Sequence, residues 1–312
     1  MENLIVSFKV VAPLLILMLL GAVLLRVHIF DNATVKKMNA AIFKVFLPAM
    51  IFNNIYNSSI EDIKDIKTAL YIAAVLIVAY ILSMIYVCFT EKENSKRGVI
   101  AQGICRSNFV IFGLPLCMSI CGDGVMGKVA VAVAIVVPVL NVFAVIALEV
   151  FRGGKPSPKK ILKGIITNPL IIVSVVGILV LVSGIRLPAI ISSSISDVAK
   201  IGTPLALILL GASINFGTVK GNLRQLITAI CGKLIVLPFF GFLIAALMGM
   251  CGSDMALLIA AFASPTAVSS YPMALQMGGD GDLAAQIVAF GTALCILTVF
   301  MWVFILKQFG LI

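Results

Sequence analysis

The chain has 312 residues, of which 62% are hydrophobic and 12% are charged, and its formal net charge is +10. Soluble domains usually contain about 25% charged residues, so this composition excludes a soluble protein and indicates a polytopic membrane protein. A nucleic-acid partner is not expected, because the basic residues concentrate in the loops on one side of the predicted membrane.

Ten apolar segments are long enough to cross a bilayer, which takes about 20 residues in a helix. The predicted spans are residues 4–26, 34–56, 68–90, 98–120, 126–150, 161–183, 192–214, 225–249, 255–277 and 283–306. We expect the first to be a retained span, since it is too long for the apolar region of a signal peptide and no cleavage site of small residues follows it.

The basic residues predict which side of the membrane each loop faces. With the N-terminus outside, the inner loops hold Arg26, Lys36, Lys37, Lys92, Lys96, Arg97, Arg152, Lys155, Lys159, Lys160, Lys163, Lys220 and Arg224. The outer side holds Lys9, Lys64, Lys67, Lys128, Arg186 and Lys307. By the positive-inside rule, this excess predicts a multi-pass protein of the cell (inner) membrane with both termini outside.

The two halves of the chain share residues at an offset of 156 positions. The matched residues are Pro13, Gly21, Lys44 and Pro48 with Pro169, Gly177, Lys200 and Pro204. Each half has five predicted spans, an odd number, so the second half begins on the opposite side of the membrane. We therefore predict an all-α membrane fold of ten helices in two inverted five-helix repeats, residues 1–150 and 163–312, joined by a cytoplasmic linker at 151–162 that is rich in Gly, Pro and Lys.

Helix-breaking residues interrupt the fourth and ninth spans at matching places in the two halves. The predicted break residues are Gly113, Pro115, Pro265 and Pro272. Proline removes a backbone donor, and backbone freed at membrane depth needs a partner in protein, water or ligand. Two matched breaks therefore predict a substrate site near the bilayer midplane, where broken helices 4 and 9 cross.

Arg106 is the leading candidate for substrate binding. The N-termini of two half-helices would favour an anion, and a guanidinium adds a charged fork that suits a carboxylate. An arginine inside a span costs about 2.5–3.5 kcal/mol on insertion scales and is functional by default. Ser107 and Asn108 follow it, and Asn108 could donate to the same group. Alternatively, Arg106 snorkels or binds carbonyls that the break exposes.

Hydroxyl and amide side chains complete the candidate set. Thr266, Ser269 and Ser270 lie beside the second break, where they could bind substrate oxygens or repair the broken backbone. Asn53 and Asn54 on the second span could line the opposing wall of a cavity, or hold neighbouring helices together.

Three lysines lie deep within predicted spans, eight or more residues from either end. Lys44 and Lys200 occupy equivalent positions in the two halves, so a shared structural role is expected. Lys200 also follows Asp197 by three residues, a spacing that allows a helical ion pair. Lys233, in the eighth span, is a buried cation for which the sequence offers no partner.

Enzymatic chemistry has no visible basis in this sequence. It has a single histidine, His28, and no catalytic triad, nucleotide-binding loop or metal-ligand cluster. Cys117 and Cys121 are too few ligands for a metal site. We therefore predict no enzyme, no cofactor and no metal. Carboxylates are scarce within the spans, so the coupling ion, proton or sodium, is left unassigned.

Three motifs together resemble the auxin efflux carrier family, and more narrowly its bacterial malate permease-like members. They are QGICRSNFVIFGLPL at 102–116, ASPTAVSSYPMA at 263–274 and QMGGD at 276–280. The resemblance covers essentially the whole chain. It implies a fold similar to bile-acid transporters and sodium/proton antiporters, with a scaffold from helices 1, 2, 6 and 7, a transport domain from helices 3–5 and 8–10, and a homodimer.

The resemblance also assigns roles to crossover residues. In plant members an asparagine after a proline contacts the substrate carboxylate, and Asn108 matches that asparagine, whereas Ser107 replaces the proline. Pro265 matches the proline of the second crossover. The chain lacks the long cytoplasmic loop of many plant members, so a small carboxylate is a more natural substrate than auxin.

The predicted function is secondary active transport of small organic anions, malate-like or other carboxylates, by elevator-type alternating access. A sodium-coupled symporter of the bile-acid type is one alternative, and an exporter of amino or aromatic acids such as auxin is another. An intramembrane enzyme or a sensor would require a catalytic cluster or an added soluble domain. The expected partners are the substrate, the lipid bilayer and a second copy of the chain.

Overall fold

The computed structural model describes residues 2–58, 66–122, 125–153 and 158–312, and over these residues all regular structure is helical. The helices are α1 (Glu2–Arg26), α2 (Asn32–Tyr56), α3 (Ile66–Thr90), α4 (Asn94–Cys105), α5 (Phe109–Cys121), α6 (Met126–Val150), α7 (Pro158–Ile166), α8 (Pro169–Ser183), α9 (Ala189–Ser213), α10 (Phe216–Leu247), α11 (Ser253–Ala263), α12 (Ser270–Gln276) and α13 (Gly281–Gln308). The all-α class predicted from the sequence is confirmed.

Six of these helices are long and apolar enough to cross a membrane: α2, α3, α6, α9, α10 and α13. Four shorter apolar helices lie in the remaining predicted spans, namely Val11–Arg26 within α1, then α5, α8 and α11. The predicted fifth span coincides with α6. The described part of the chain is therefore that of a multi-pass membrane protein.

The predicted sixth span, 161–183, is not one helix. α7 ends at Ile166 and α8 begins at Pro169, because Asn168 caps α8 by accepting a hydrogen bond from Leu170 N at 2.9 Å. Proline suits the first helical position, which needs no N–H. α7 also starts inside the predicted linker 151–162, so that segment is partly helical.

Some predicted features lie outside the described residues. They are residues 154–157 of the linker, which include Lys155, together with Lys64. In the second half, Asp280 of the QMGGD motif caps α13 by accepting a hydrogen bond from Leu283 N at 2.9 Å.

Among the described residues, four π-helical segments interrupt or end helices, and each ends two residues before a proline. They are residues 42–46, 109–113, 232–236 and 259–263, followed by Pro48, Pro115, Pro238 and Pro265. A proline displaces the carbonyl four residues earlier, and a wider π turn accommodates the displacement. Two such carbonyls have side-chain donors: Trp302 Nε1 donates to Leu234 O at 2.9 Å, and Ser107 Oγ donates to Ala261 O.

We expect Trp302→Phe to lower the free energy of unfolding by about 1–2 kcal/mol, because the Leu234 carbonyl would lose its donor in apolar surroundings. The melting temperature of the detergent-purified protein should fall by roughly 2–6 °C. Phe304 is an exposed aromatic residue on the same helix, so Phe304→Leu should change the melting temperature little. An unchanged melting temperature in Trp302→Phe would mean that the indole hydrogen bond contributes nothing.

Two groups of helices pack closely within themselves, and α1 of the first group also packs on α13 of the second. In the first, α1 crosses α9 with backbones in contact, since a methyl group at Gly21 would lie 1.8 Å from Ile208 O. α8 packs on α2 in the same group, with Gly177 against Ile55. In the second group, α3, α4 and α6 pack together, and α10 packs on α4 and α13. Residues 106–111 and 267–269 of the two interrupted spans line one cavity together with residues of α2 and α9.

Candidate functional site

The two helix breaks cross each other. The backbone leaves α4 at Cys105 and re-enters a helix at Phe109, and it leaves α11 at Ala263 and re-enters one at Ser270. Between these ends, Ser107 and Thr266 form an isolated antiparallel bridge, and Asn108 N donates to Pro265 O at 2.8 Å. Residues 106–108 and 264–269 therefore form a crossover in which each break supplies partners for the other, as backbone at membrane depth requires.

Hydroxyl groups satisfy carbonyls at the helix ends that precede the crossover. Thr266 Oγ1 donates to Gly103 O at 2.8 Å, and Ser107 Oγ and Ser264 Oγ donate to the carbonyls of Ala261 and Ala260. The last carbonyls of a helix have no partner within it. Thr266, Ser107 and Ser264 therefore repair the backbone, which is one of the two roles that the sequence left open for Thr266.

Arg106 lies immediately after α4, and its extended backbone (φ −76°, ψ 124°) turns its side chain into the protein. The residue is 4% exposed. Its Nη2 donates to Asn141 Oδ1 at 2.7 Å and to Ser269 Oγ at 2.9 Å, and Nη1 contacts Met273 Sδ. None of the ion pairs among the described residues includes Arg106. A buried guanidinium without a neutralising charge is costly.

A cavity of about 60 Å³ opens beside Arg106. Its lining comes from the crossover, the start of α5, and helices α2, α6 and α9; the polar members are Asn54, Arg106, Ser107, Asn108, Asn141, Thr203 and Ser269. Asn108 is 4% exposed, and its Nδ2 has no hydrogen-bond acceptor. The first N–H groups of a helix also lack partners within it, and residues 109–111 at the start of α5 line the cavity.

The structure brings five of the nine candidate substrate-binding residues into this cavity: Arg106, Ser107, Asn108, Ser269 and Asn54. Pro265, Thr266, Ser270 and Asn53 are not among its lining residues. Asn53 instead accepts hydrogen bonds from Asn57 Nδ2, and the carbonyl of Ser270 accepts one from Gln102 Nε2 at 3.1 Å.

Of the four predicted break residues, only Pro265 lies in a break. α5 continues through Gly113 and Pro115, because the π segment at 109–113 accommodates the proline. Pro272 lies in the first turn of α12, where proline is tolerated. The breaks instead fall on the polar residues 106–108 and 264–269.

Asn141 is a site residue that the sequence analysis missed. It is 4% exposed on α6, lines the cavity, and accepts the hydrogen bond from Arg106 while its own Nδ2 donates to Val137 O at 3.0 Å. The sequence does contain an indication of this role, since Asn141 is the only strongly polar residue between Lys128 and Glu149.

The three lysines differ in environment. Lys44 and Lys200 are both exposed, and Lys200 Nζ pairs with Asp197 Oδ1 at 2.9 Å, as the spacing predicted. Lys233 is 1% exposed, and its Nζ donates to Ser107 Oγ at the crossover.

A second, larger cavity of about 510 Å³ lies at the ends of α1, α2, α9 and α12. Lys36, Asn39, Asn215, Tyr271 and Asp282 are among its lining residues. Asn39 is fully buried, and its Nδ2 lies 3.4 Å from Tyr271 Oη, while its Oδ1 has no donor. This cavity shares no lining residue with the cavity beside Arg106.

Among the residues that the structure describes, no group of three or more His, Cys, Asp or Glu side chains could hold a metal ion.

Comparisons with known proteins point to one class. The family described as "Membrane transport protein" matches residues 6–156 and, again, residues 155–303. A protein described as an uncharacterized transporter, from Methanothermobacter thermautotrophicus, is 21% identical over 304 residues, which cover 95% of this chain and 97% of the relative.

Proposed function

This chain belongs to the membrane transport protein family, the auxin efflux carrier family that its motifs resemble, and from that membership we propose that it is a secondary transporter of small organic anions. The substrates that fit best are malate-like di- or monocarboxylates.

The observation that carries this proposal is a buried positive charge beside a buried hydrogen-bond donor that has no acceptor, both at the crossover. Arg106 has buried positive charge without an ion-pair partner among the described residues, and Asn108 Nδ2 is a buried donor without an acceptor. Both line one cavity. A carboxylate supplies negative charge and acceptor oxygens together, and it matches the planar fork of a guanidinium.

Cavity size supports a small substrate. About 60 Å³ holds a few water molecules, so in this conformation the cavity admits a carboxylate group and little more. Leu47, Met50 and Val137 supply an apolar wall. A compact acid with a short carbon chain would place its carboxylate at Arg106 and its carbons against this wall.

Elevator-type alternating access is the transport mechanism we propose. The group α1, α2, α8 and α9 would form the scaffold, and α3–α6 with α10–α13 would move past it. Arg106 is held by Asn141 and Ser269, which belong to the moving set, so a bound carboxylate would travel with it. The large cavity lined by Asn39 and Tyr271 would be the cytoplasmic exit in the proposed topology.

The inverted repeat forms part of this proposal. Exchanging the two halves relates the α1–α9 crossing at Gly21 to the α8–α2 crossing at Gly177, and the two glycines are matched residues at the offset of 156. We further propose a homodimer in the cell membrane with both termini outside, in line with the distribution of basic residues.

Asn141→Asp tests the anion site without removing the arginine. The new carboxylate would lie where Asn141 Oδ1 now accepts from Arg106, so it would pair with the guanidinium and neutralise it. We expect the affinity for malate to fall about 10- to 100-fold, while the protein remains folded. The measurement is thermal stabilisation of the purified protein by malate and by a panel of related acids.

The matched controls are a substrate and a variant. The diamide of malic acid, which has no charge, should stabilise neither protein. Asn57→Asp, which adds a carboxylate at the exposed residue after α2 and outside the cavity lining, should leave malate binding within about twofold of wild type, since exposed charges are screened. Undiminished malate binding by Asn141→Asp would remove the basis for the proposed function.

A further inference from the structure

Lys233 is the second buried cation of the crossover, and it lies outside the cavity lining. It is 1% exposed, and its Nζ donates to Ser107 Oγ, which donates in turn to the carbonyl of Ala261. None of the ion pairs formed by the described residues includes it. An isolated buried ammonium is expensive, so something else in its surroundings must favour positive charge.

The ends of two helices supply that negative environment. α4 ends at Cys105 and α11 ends at Ala263, and both C-termini point into the crossover that Lys233 reaches through Ser107. Each helix C-terminus carries roughly half a negative elementary charge. Two of them together balance about one ammonium group.

The local packing holds Lys233 close to these ends. It lies in the π segment 232–236 of α10, and a methyl group at the preceding Gly232 would lie 2.9 Å from Ile104 Cγ1, one residue before the end of α4. π segments often mark functional positions in helices. α10 therefore approaches the crossover closely enough to deliver the ammonium without an intervening layer of side chains.

Several oxygen atoms lie in the same region. The hydroxyls of Ser107, Thr266 and Ser264 donate hydrogen bonds to the carbonyls of Ala261, Gly103 and Ala260, respectively. In transporters with discontinuous helices, unwound carbonyls and half-helix C-terminal ends coordinate the coupling cation. Here the chain itself places a cation there.

We propose that the Lys233 ammonium is the resident cation of the crossover, occupying the place of a bound sodium ion, so that the protein needs no sodium to hold its crossover together. This inference deepens the proposed function, because it concerns the ion requirement of the same crossover. It also disfavours the sodium-coupled alternative. Removing the ammonium while keeping the oxygen atoms should create a site for a small monovalent cation.

The test is thermal unfolding of the full-length protein in detergent, without substrate, in sodium chloride and in choline chloride at equal ionic strength. Wild type should melt at the same temperature in both salts. Lys233→Ala should melt lower than wild type in choline and gain about 3–5 °C in saturating sodium. Lithium and potassium chloride complete the series, since the new site could prefer either ion by size.

Two control variants separate ion binding from general salt effects. Lys233→Met fills the space with an uncharged chain, so it should be destabilised and gain nothing specific from sodium. Lys200→Ala removes an exposed lysine that pairs with Asp197, so it should behave as wild type does in every salt.

Three outcomes would overturn the proposal. The first is a sodium-specific rise in the melting temperature of wild type, and the second is a Lys233→Met variant as stable as wild type. The third is a Lys233→Ala variant whose melting temperature rises no more than that of Lys233→Met in any of the three ions. Recovery of folded Lys233→Ala only in buffers with one of these ions would support it. If neither variant folds, the melting temperatures of wild type in sodium chloride and in choline chloride decide: equal values support the proposal, and a higher value in sodium overturns it. No substrate is present in this test, so its failure would leave the proposal of carboxylate transport intact. Failure of the malate-binding test would likewise leave the role of Lys233 intact.

Discussion

Replacing Arg106 with alanine should reduce the uptake of labelled malate into proteoliposomes by roughly 30- to 4,000-fold, because truncating one partner of a buried charge pair costs about 2–5 kcal/mol. The protein should remain folded, since the guanidinium has no ion-pair partner among the described residues and its loss also removes a desolvation cost. Uptake is measured alongside the melting temperature of each preparation.

Two further arginine variants sharpen this experiment. Arg106→Lys keeps the charge but loses the planar fork, so it should retain part of the uptake. Arg152→Ala removes an exposed arginine that pairs with Glu149 at 3.3 Å, and it should transport as wild type does. Wild-type uptake by folded Arg106→Ala protein would show that the cavity does not bind the anion through this side chain.

Gly211→Ala should be among the most destabilising single substitutions in the chain. A methyl group there would lie 1.8 Å from the Met18 carbonyl oxygen, and a backbone atom cannot move aside as a side chain can. α1 and α9 would have to separate, and overpacking of this kind costs about 3 kcal/mol or more. We expect the melting temperature in detergent to fall by roughly 6 °C or more.

Gly221→Ala is the matched control. Gly221 also lies within a helix, α10, but a methyl group there would meet no heavy atom within 4 Å. Alanine is the better helix former, so this substitution should leave the melting temperature unchanged or raise it slightly. If both variants melted alike, the close approach of α1 and α9 would not be a determinant of stability.

The sequence could predict the helices because composition and length dictate them. A run of about 20 apolar residues has few stable forms in a bilayer, and the fifth span was correct at both ends. The division of the sixth span was harder to foresee, because the polar residues Thr167 and Asn168 lie beside Pro169 within an apolar pattern. A cap that starts a new helix and a polar residue inside a continuous helix look alike in sequence.

The candidate site was only partly predictable, for a similar reason. Polarity at a break identified Arg106, Ser107 and Asn108, which the structure places at one cavity. Asn141 lies 35 residues away from Arg106 along the chain, and only the packing of α6 brings it to the guanidinium. The connection of Lys233 to Ser107 is likewise a tertiary contact, across 126 residues. The hydrophobic period marks which residues are buried, but it does not identify their neighbours.

Proline alone does not determine where these helices break. Pro48, Pro115 and Pro238 each follow a π turn inside a helix that continues. A displaced carbonyl need not break a helix when a wider turn or a side-chain donor accommodates it. For Pro238 the displaced carbonyl is that of Leu234, and its donor is Trp302, which lies 68 residues further along the chain.

The position of both buried cations on the same set of helices has an electrical consequence. Arg106 and Lys233 are held by residues of α6, α10 and the crossover, so in the proposed mechanism an empty carrier moves two positive charges through the membrane field. A carrier loaded with a dicarboxylate moves none. One elementary charge crossing 100 mV is worth about 2.3 kcal/mol. A membrane potential that is negative inside should therefore oppose outward movement of the empty carrier and leave the loaded step unaffected, so that voltage controls turnover through the empty step.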